Sequence, residues 1–501
     1  MFRTKLFTII TLFALMLSCD GKTTDKDKTM KNKNEKQNKL TPPPPKINHE
    51  FNAGEKDLTL SLKVPAKATL EHYIDRLNKK IVLSFPDHLL SDGESDVKKG
   101  LIIGISTKKA GEGSELSITL KRPLRYEINR DEEGKVLVTL KNYKELSSLS
   151  PVNRDIIDFH NKTITIDLHN DLLFKLYTRK LHVTNDDPDL ESSLDNMFNG
   201  GVSAAFFSVW VPDYFLGGRR KLHYNNPVLK NFKEFRGKPF DLTEELVDKM
   251  KDEVDLEPRL NLAMSSADIV TNWKNNKKSA LMGLEGAHSL GQDVFRVKML
   301  YRLGVRYVGI TWSNSNLFAS AAGDDKRGGL TPLGEDLVKA MMNVGMMIDV
   351  SHLSDRAFAD LVKLTKHEYP IVATHSTSRV LRKHKRNLTD EMIEDIRKSQ
   401  GFIGVVFHSD FLVKGRRATI EDVLDHIDYI VAKAGIDTVS LGSDFDGFIK
   451  TPTGLEDMSA MPNISLGLYN RGYSREDIEK VLGQNVLRVM RLVESKRNED
   501  F

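Results

Sequence analysis

Residues 152–498 alternate eight apolar, β-rich runs with amphipathic stretches, while residues 50–148 hold only short alternating runs. These two patterns predict an α/β chain in which a (β/α)8 barrel follows a small all-β domain. With 501 residues, 40% of them hydrophobic and 29% charged, the chain is long enough for more than one buried core. Its 74 Lys+Arg nearly balance 70 Asp+Glu, and the basic excess is local: residues 20–46 carry eight lysines against four acids, and Arg3 and Lys5 precede them. Residues 47–501 are therefore slightly acidic. A basic stripe on the folded part is not expected, and neither is counterion-release binding to nucleic acid.

The first element in the chain is a positive start, a 12-residue apolar run from Leu6 to Leu17, and the small residue Ser18, directly before Cys19. The run is too short to cross a bilayer and stay, so residues 1–18 read as a signal peptide. It resembles a bacterial lipoprotein signal, which implies lipidation of Cys19 and a membrane-anchored protein of the cell envelope, facing the periplasm or the outside. Cys19 is the single cysteine, which excludes a disulfide framework, a Cys-based zinc site and an iron–sulfur cluster. Residues 19–46 are lysine-rich, lack aromatics and run into Pro42–Pro45, so they read as a disordered tether. From 50 to 148 come LTLSLKV, KKIVLSF, GLIIGIS, ELSITLK and a hairpin whose turn falls near Gly134. Their order resembles AMIN domains, β-rich modules with which bacterial envelope enzymes localise to the cell wall, and this implies peptidoglycan as a partner. His49, His72 and His88 are scattered through it and read as surface residues.

The eight barrel runs are 163–169, 202–211, 280–286, 306–312, 345–352, 370–376, 401–408 and 438–447. Between them, PLGEDLVKAMMNVG and TDEMIEDIRKSQ place apolar residues at helical spacing, and the long second gap must hold more than one helix. In such barrels the active site is assembled at the carboxyl ends of the strands. Run one ends in His169-Asn170-Asp171, run three in Glu285, run five in His352, run six in His375 and run eight in Asp444. Strand alternation lets His169 and Asp171 face one point. One strand-end histidine is ordinarily structural, but imidazoles and carboxylates at five of eight strand ends form a donor set suited to Zn²⁺ or a similar ion. The donor count exceeds the need of one tetrahedral ion and points to two ions sharing a carboxylate, a pair able to activate water and polarise a carbonyl. His288, three residues after Glu285, and His408, at the end of run seven, are weaker candidates; His384 sits in a basic stretch and reads as exposed.

The segments DLHNDLL, GLEGAHSLG, GVRYVGITW, GLTPLGEDLVKAMMNVGMMIDVSHLSD, ATHS, RNLTD and LGSDFDG resemble the zinc-dependent membrane (renal) dipeptidase family, in the right order over about residues 155–495. The resemblance implies a two-zinc dipeptidase in which His169 and Asp171 bind one ion, His352 and His375 the other, and Glu285 bridges both. It further implies that Asp444 is the catalytic aspartate, that Arg386 receives the substrate carboxylate, and that substrates include dipeptides with a D-residue at the C-terminal side; it also points to a homodimer. Asp446 reads as structural. At one place the pattern departs: Trp312 stands where many members carry a histidine that contacts the substrate carbonyl. An indole N–H donates one hydrogen bond and carries no charge, so oxyanion stabilisation is weaker, rests on the metals, or comes from a neighbour such as Asn314 or His288; the alternative is that Trp312 is a tolerated variant that reshapes the pocket. Trp312 and His288 are thus expected against the substrate with Arg386. Two rival readings stand beside this one: a zinc amidohydrolase acting on N-acyl amino acids or β-lactams, and a cell-wall binding lipoprotein with a weakly catalytic barrel.

Overall fold

The computed structural model describes residues 49–498 except 54–56, 64–67, 76–77, 87–92, 96–101, 122–123, 125, 132–134, 142–150, 186, 213–234 and 325–327. The signal peptide at 1–18, Cys19, the tether at 19–46, His88 and the turn at Gly134 lie outside the described residues.

The N-terminal strands are β1 (His49–Ala53), β2 (Asp57–Lys63), β3 (Glu71–Asp75), β4 (Lys80–Phe85), β5 (Gly93–Ser95), β6 (Ile102–Ala110), β7 (Gly113–Leu120), β8 (Tyr126–Arg130) and β9 (Lys135–Lys141). They form two antiparallel sheets, of order β1-β2-β9-β8 and β3-β4-β7-β6-β5. Alternation puts Leu60, Leu62, Val136 and Val138 of one sheet, and Ile81, Leu83, Phe85, Leu116 and Ile118 of the other, into one buried cluster. His72, in exposed β3, makes a 3.1 Å contact to the Tyr126 hydroxyl.

The strands that follow are β10 (Thr165–Asn170), β11 (Val202–Trp210), β12 (Leu260–Leu262), β13 (Lys278–Glu285), β14 (Val305–Gly309), β15 (Met347–Asp349), β16 (Ile371–Ser376), β17 (Ile403–Val405) and β18 (Val439–Leu441). Eight of them pair in parallel in the order β10-β11-β13-β14-β15-β16-β17-β18, and β12 adds a short parallel partner to β13. The ring closes between first and last: the Phe445 carbonyl accepts from the Asp171 N–H at 2.8 Å, and the His169 carbonyl from the Asp444 N–H at 2.9 Å. Buried Asp167 adds a stitch, accepting from the Ser443 N–H at 2.7 Å and its hydroxyl at 3.0 Å. This is the (β/α)8 barrel that the alternation of runs predicts, and all eight runs contain a strand.

Of the eight ring strands, all but β13 are shorter than their runs. β15, β17 and β18 have three residues each, because the chain leaves the sheet before the side chains that the site uses. His352 and Asp444 thus lie three residues past their strands, in turns. Helix boundaries follow local capping. Thr331 caps the helix Pro332–Val344 through the Gly334 N–H, and Gly345, at φ 76°, ends it. Thr389 caps Asp390–Lys398 through the Met392 N–H. The long second gap holds helices Pro239–Leu256 and Ser266–Lys274.

The helices flanking β18 are tied by a buried cation. Arg471 follows the helix Pro462–Asn470 and reaches three acids of the helix Ile420–Ala434: Asp428 at 2.6 Å, Asp425 at 2.9 Å and Glu421 at 2.5 Å. Asp428 is buried and also accepts from the Tyr473 hydroxyl at 2.7 Å. Arg471→Ala removes the guanidinium that pairs with buried Asp428, so it should destabilise the barrel by roughly 3–5 kcal/mol in denaturant unfolding, as breaking a buried ion pair does.

Candidate metal centre

The strand ends converge on one point. His169 is the penultimate residue of β10, Glu285 the last of β13, and His375 lies within β16; His352 and Asp444 arrive from the turns after β15 and β18. Asp171 does not sit on the strand as alternation requires. It is the first residue beyond β10, at φ −102° and ψ 20°, and precedes the helix Leu172–Arg179. It reaches the same point nonetheless, because its N–H is fixed to Phe445. Asp444 is held at φ 63°, and Asp446 at 65°, a left-handed conformation that aspartate tolerates better than most side chains. Asp446 is occupied: it accepts from Lys175 Nζ at 2.8 Å, from the Glu191 and Ser192 N–H groups at 3.0 Å each, and from the Ser192 hydroxyl. Its structural reading agrees with these bonds.

Two groups of donors share Glu285. The Nε2 of His169 lies 3.8 Å from Asp171 Oδ1, from Glu285 Oε1 and from Asp444 Oδ1. On the other side, Glu285 Oε1 is 2.9 Å from His352 Nε2 and 3.6 Å from His375 Nε2, and these two nitrogens are 2.9 Å apart. His169 Nε2 and Asp171 Oδ1 are buried with no hydrogen-bond partner. Buried polar atoms are ordinarily satisfied, so unpartnered nitrogen and carboxylate oxygen aimed at one point fit a cation.

Electrostatics point the same way. Burial drives the carboxyls up: Asp171 to about 7, and Glu285 and Asp444 well above the usual range, with repulsion from Asp171 adding to both. Burial drives the imidazoles down, His169 to about 3 and His352 and His375 well below the ordinary value, with Arg386 adding to the effect. Neutral imidazoles present lone pairs, and only the carboxyl protons compete with a metal.

A cavity of about 390 Å³ opens over this point. Asp171, Glu285, His352 and Asp444 form its floor; Phe174, Trp210, Trp312, Phe411 and Phe448 supply apolar walls. Trp312 lies in the wall, its ring 5.1 Å from that of Trp210 and 6.4 Å from that of His352. Arg386 also lines the cavity, buried, with Nη2 on the His375 carbonyl at 3.2 Å and Nε without a partner. His288 does not line it. Gly286, at φ 89°, turns the chain into the short helix Ala287–Leu290, and His288 Nε2 meets the Val211 carbonyl at 2.7 Å. The structure thus does not bring His288, expected against the substrate, to the cavity lining, and Asn314 is likewise absent from the lining. His408 is present instead. Its Nδ1 accepts from the Asp410 N–H at 3.3 Å, and burial lowers its pKa to about 4. Its place at the end of run seven was the available signal. Among the aromatic walls Trp312 is the one the sequence pointed to; Phe174 and Phe411 carried no signal, since they fall in helical stretches.

The family model for membrane dipeptidases, peptidase family M19, matches residues 154–500. A dipeptidase of Claviceps purpurea is 36% identical over 239 residues, 47% of this chain and 56% of that protein, so the match spans little more than half of that relative. An uncharacterized dipeptidase of Schizosaccharomyces pombe is 33% identical over 348 residues, 66% of this chain and 80% of its own. Among solved structures, a metallopeptidase from Rhodobacter sphaeroides liganded with a phosphinate mimic of the dipeptide L-Ala-D-Ala is 26% identical with a TM-score of 0.57, over 66% of this chain and 99% of that one. A probable dipeptidase from Pseudomonas aeruginosa, at 24% identity and TM-score 0.63, covers 70% of this chain and 100% of its own and shares the barrel. Residues 1–153 lie outside the family match.

Because the raised carboxyls hold protons that a metal must displace, apparent zinc affinity should rise with pH through the region of the Asp171 pKa, about 7, and go on rising for as long as Glu285, raised by burial, still holds its proton. Calorimetry in buffers of different ionisation enthalpy should show proton release on zinc binding below that pH; affinity that falls as pH rises toward 7 contradicts the assignment.

Proposed function

The chain belongs to the membrane dipeptidase family, and from that premise we propose that it is a binuclear zinc dipeptidase that hydrolyses the single peptide bond of dipeptides at the cell envelope. The observation that carries this reading is the position of Glu285 Oε1, within 2.9–3.8 Å of three imidazole nitrogens on two sides. A carboxylate so placed suits a bridging role. His169 and Asp171 would hold one zinc, and His352 and His375 the other. When bound, the pair supplies a polarised carbonyl and an activated water.

The chain's own residues do the rest. Arg386 receives the substrate carboxylate: its guanidinium is already buried and anchored to the His375 carbonyl, and Nε has no protein partner, so a substrate carboxylate gives it the charge-assisted contact it lacks. Asp444, facing His169 across 3.8 Å, takes the proton of the attacking water and returns it to the departing amine nitrogen. The carboxyl is unchanged after each cycle. Phe174, Trp210 and Trp312 exclude water and pack on substrate side chains. The likeness to a protein bound to an L-Ala-D-Ala mimic supports a D-residue at the C-terminal side. A lipidated Cys19, the tether and a peptidoglycan-contacting β-domain would keep the enzyme where cell-wall turnover releases such dipeptides.

The test is hydrolysis of L,L and L,D dipeptides and their N-acetylated forms before and after zinc removal. Zinc-restored cleavage of the free-amine compounds alone is expected; cleavage of the acetylated ones reassigns the chain to another amidohydrolase reaction. Asp444→Asn should fold and lower kcat by about 10²–10⁴, the usual contribution of a proton-transfer group. Arg386→Met should raise KM by about 10- to 150-fold, corresponding to the roughly 1.5–3 kcal/mol of a charged hydrogen bond, in steady-state kinetics.

A further inference from the structure

His375 is held from behind as well as from the cavity side. Its Nδ1 lies 2.9 Å from Thr374 Oγ1, and that hydroxyl reaches Asp349 Oδ2 at 2.9 Å. Asp349 is buried at the end of β15 and does not line the cavity. Its other oxygen, Oδ1, accepts from the Ser351 N–H at 3.1 Å, the Thr374 N–H at 2.9 Å and the Ser351 hydroxyl at 2.6 Å. Ser351 Oγ in turn accepts from the His375 N–H at 3.1 Å.

The direction of this network follows from groups that cannot reverse. Backbone N–H groups only donate, so Oδ1 is an acceptor; the Ser351 hydroxyl, 3.2 Å from Thr374 Oγ1, also gives its proton to Oδ1, and with Asp349 ionised Oδ2 receives the Thr374 hydroxyl proton. That hydroxyl then has lone pairs left for His375, and with the carboxylate ionised the bond between them runs from Nδ1–H to Oγ1. Nε2 carries no proton, on the side where Glu285 Oε1 stands at 3.6 Å. We propose that Asp349 and Thr374 form a positioning relay that fixes the tautomer of His375, keeping its Nε2 lone pair available to zinc. The inference rests on the two-zinc reading above.

The other two imidazoles are set differently. His169 Nδ1 meets the Tyr307 hydroxyl at 2.7 Å, and a phenol both donates and accepts, so that contact allows either tautomer. His352 Nδ1 is buried with no partner. His375 is the ligand whose protonation is decided before metal arrives. The hydrogen bonds of the Asp349 carboxyl go to Ser351 and Thr374, neither of which lines the cavity, so it positions rather than catalyses, as outer partners of ligating histidines do.

Asn at 349 inverts the relay. Two backbone N–H groups face Oδ1, so the amide oxygen must lie there and the NH₂ must face Thr374. The Thr374 hydroxyl then accepts from the amide and donates to His375 Nδ1, which moves the ring proton to Nε2. Thr374→Val removes the relay while keeping the shape; Thr374→Ser keeps the hydroxyl.

The experiment uses the full chain, stripped of zinc and titrated against a competing chelator, with ¹⁵N histidine spectra of the zinc-free protein. Wild type should show His375 protonated at Nδ1, and Asp349→Asn at Nε2. In Asp349→Asn and Thr374→Val one of two zincs should bind about 10- to 100-fold more weakly, and Thr374→Ser should bind both as wild type does. Melting of the zinc-free Thr374→Val protein near the wild-type temperature separates lost affinity from lost fold. Wild-type affinity for both ions in Asp349→Asn and Thr374→Val, or an Nε2 proton on His375 in wild type, overturns the relay. A wild-type chain that binds no zinc overturns the two-zinc reading itself.

Discussion

Three carboxyl groups and three imidazoles meet, buried, at the mouth of the barrel, and among the described residues Arg386 is the one lysine or arginine lining the cavity. At an effective dielectric near 20, two carboxylates about 4 Å apart repel by roughly 4 kcal/mol, more than a single guanidinium offsets for all three. The group has two ways out. Either the carboxyls keep protons, which their upward shifts express, or divalent cations replace those protons. The positions of the surrounding groups follow the second way: neutral imidazoles with their Nε2 atoms inward, an oxygen of Glu285 between them, and, among the described residues, no lysine lining the cavity to quench the charge.

The fold makes this concentration tolerable. Parallel strands bring all of their carboxyl ends to one face, and the seam where the barrel closes runs through the site. The bonds from Asp171 N–H to Phe445 and from Asp444 N–H to His169 join first strand to last and aim two carboxyls at His169. Asp444 holds a left-handed backbone between residues fixed on both sides, so its carboxyl is placed by the closure of the ring. The second group of donors is set in the same manner from β15 and β16, where Asp349 gathers the hydrogen bonds of two adjacent strand ends.

Much of this was legible in the sequence because it is periodic or positional. Eight apolar runs alternating with amphipathic stretches give the barrel, and reading the carboxyl end of each run finds His169, Glu285, His352, His375 and Asp444. Other parts were not legible for physical reasons. Asp171 left the strand because its N–H pairs with Phe445, a contact 274 residues away in the chain. His288 looked like a pocket residue by its spacing from Glu285, but Gly286, free to adopt φ 89°, sends it to the Val211 carbonyl. Phe174, Phe411 and Asp349 are fixed by tertiary packing, and an Asp at a strand end that faces a backbone network reads the same as one that faces a metal.

The central claim is that these residues form a two-ion site with Glu285 shared between the ions. Anomalous scattering at the zinc edge, from crystals grown with zinc at neutral pH, tests it most directly. The account predicts two peaks, one among His169, Asp171 and Glu285 and one among Glu285, His352 and His375. A single peak that leaves Glu285 unligated, or zinc bound only elsewhere on the chain, contradicts it.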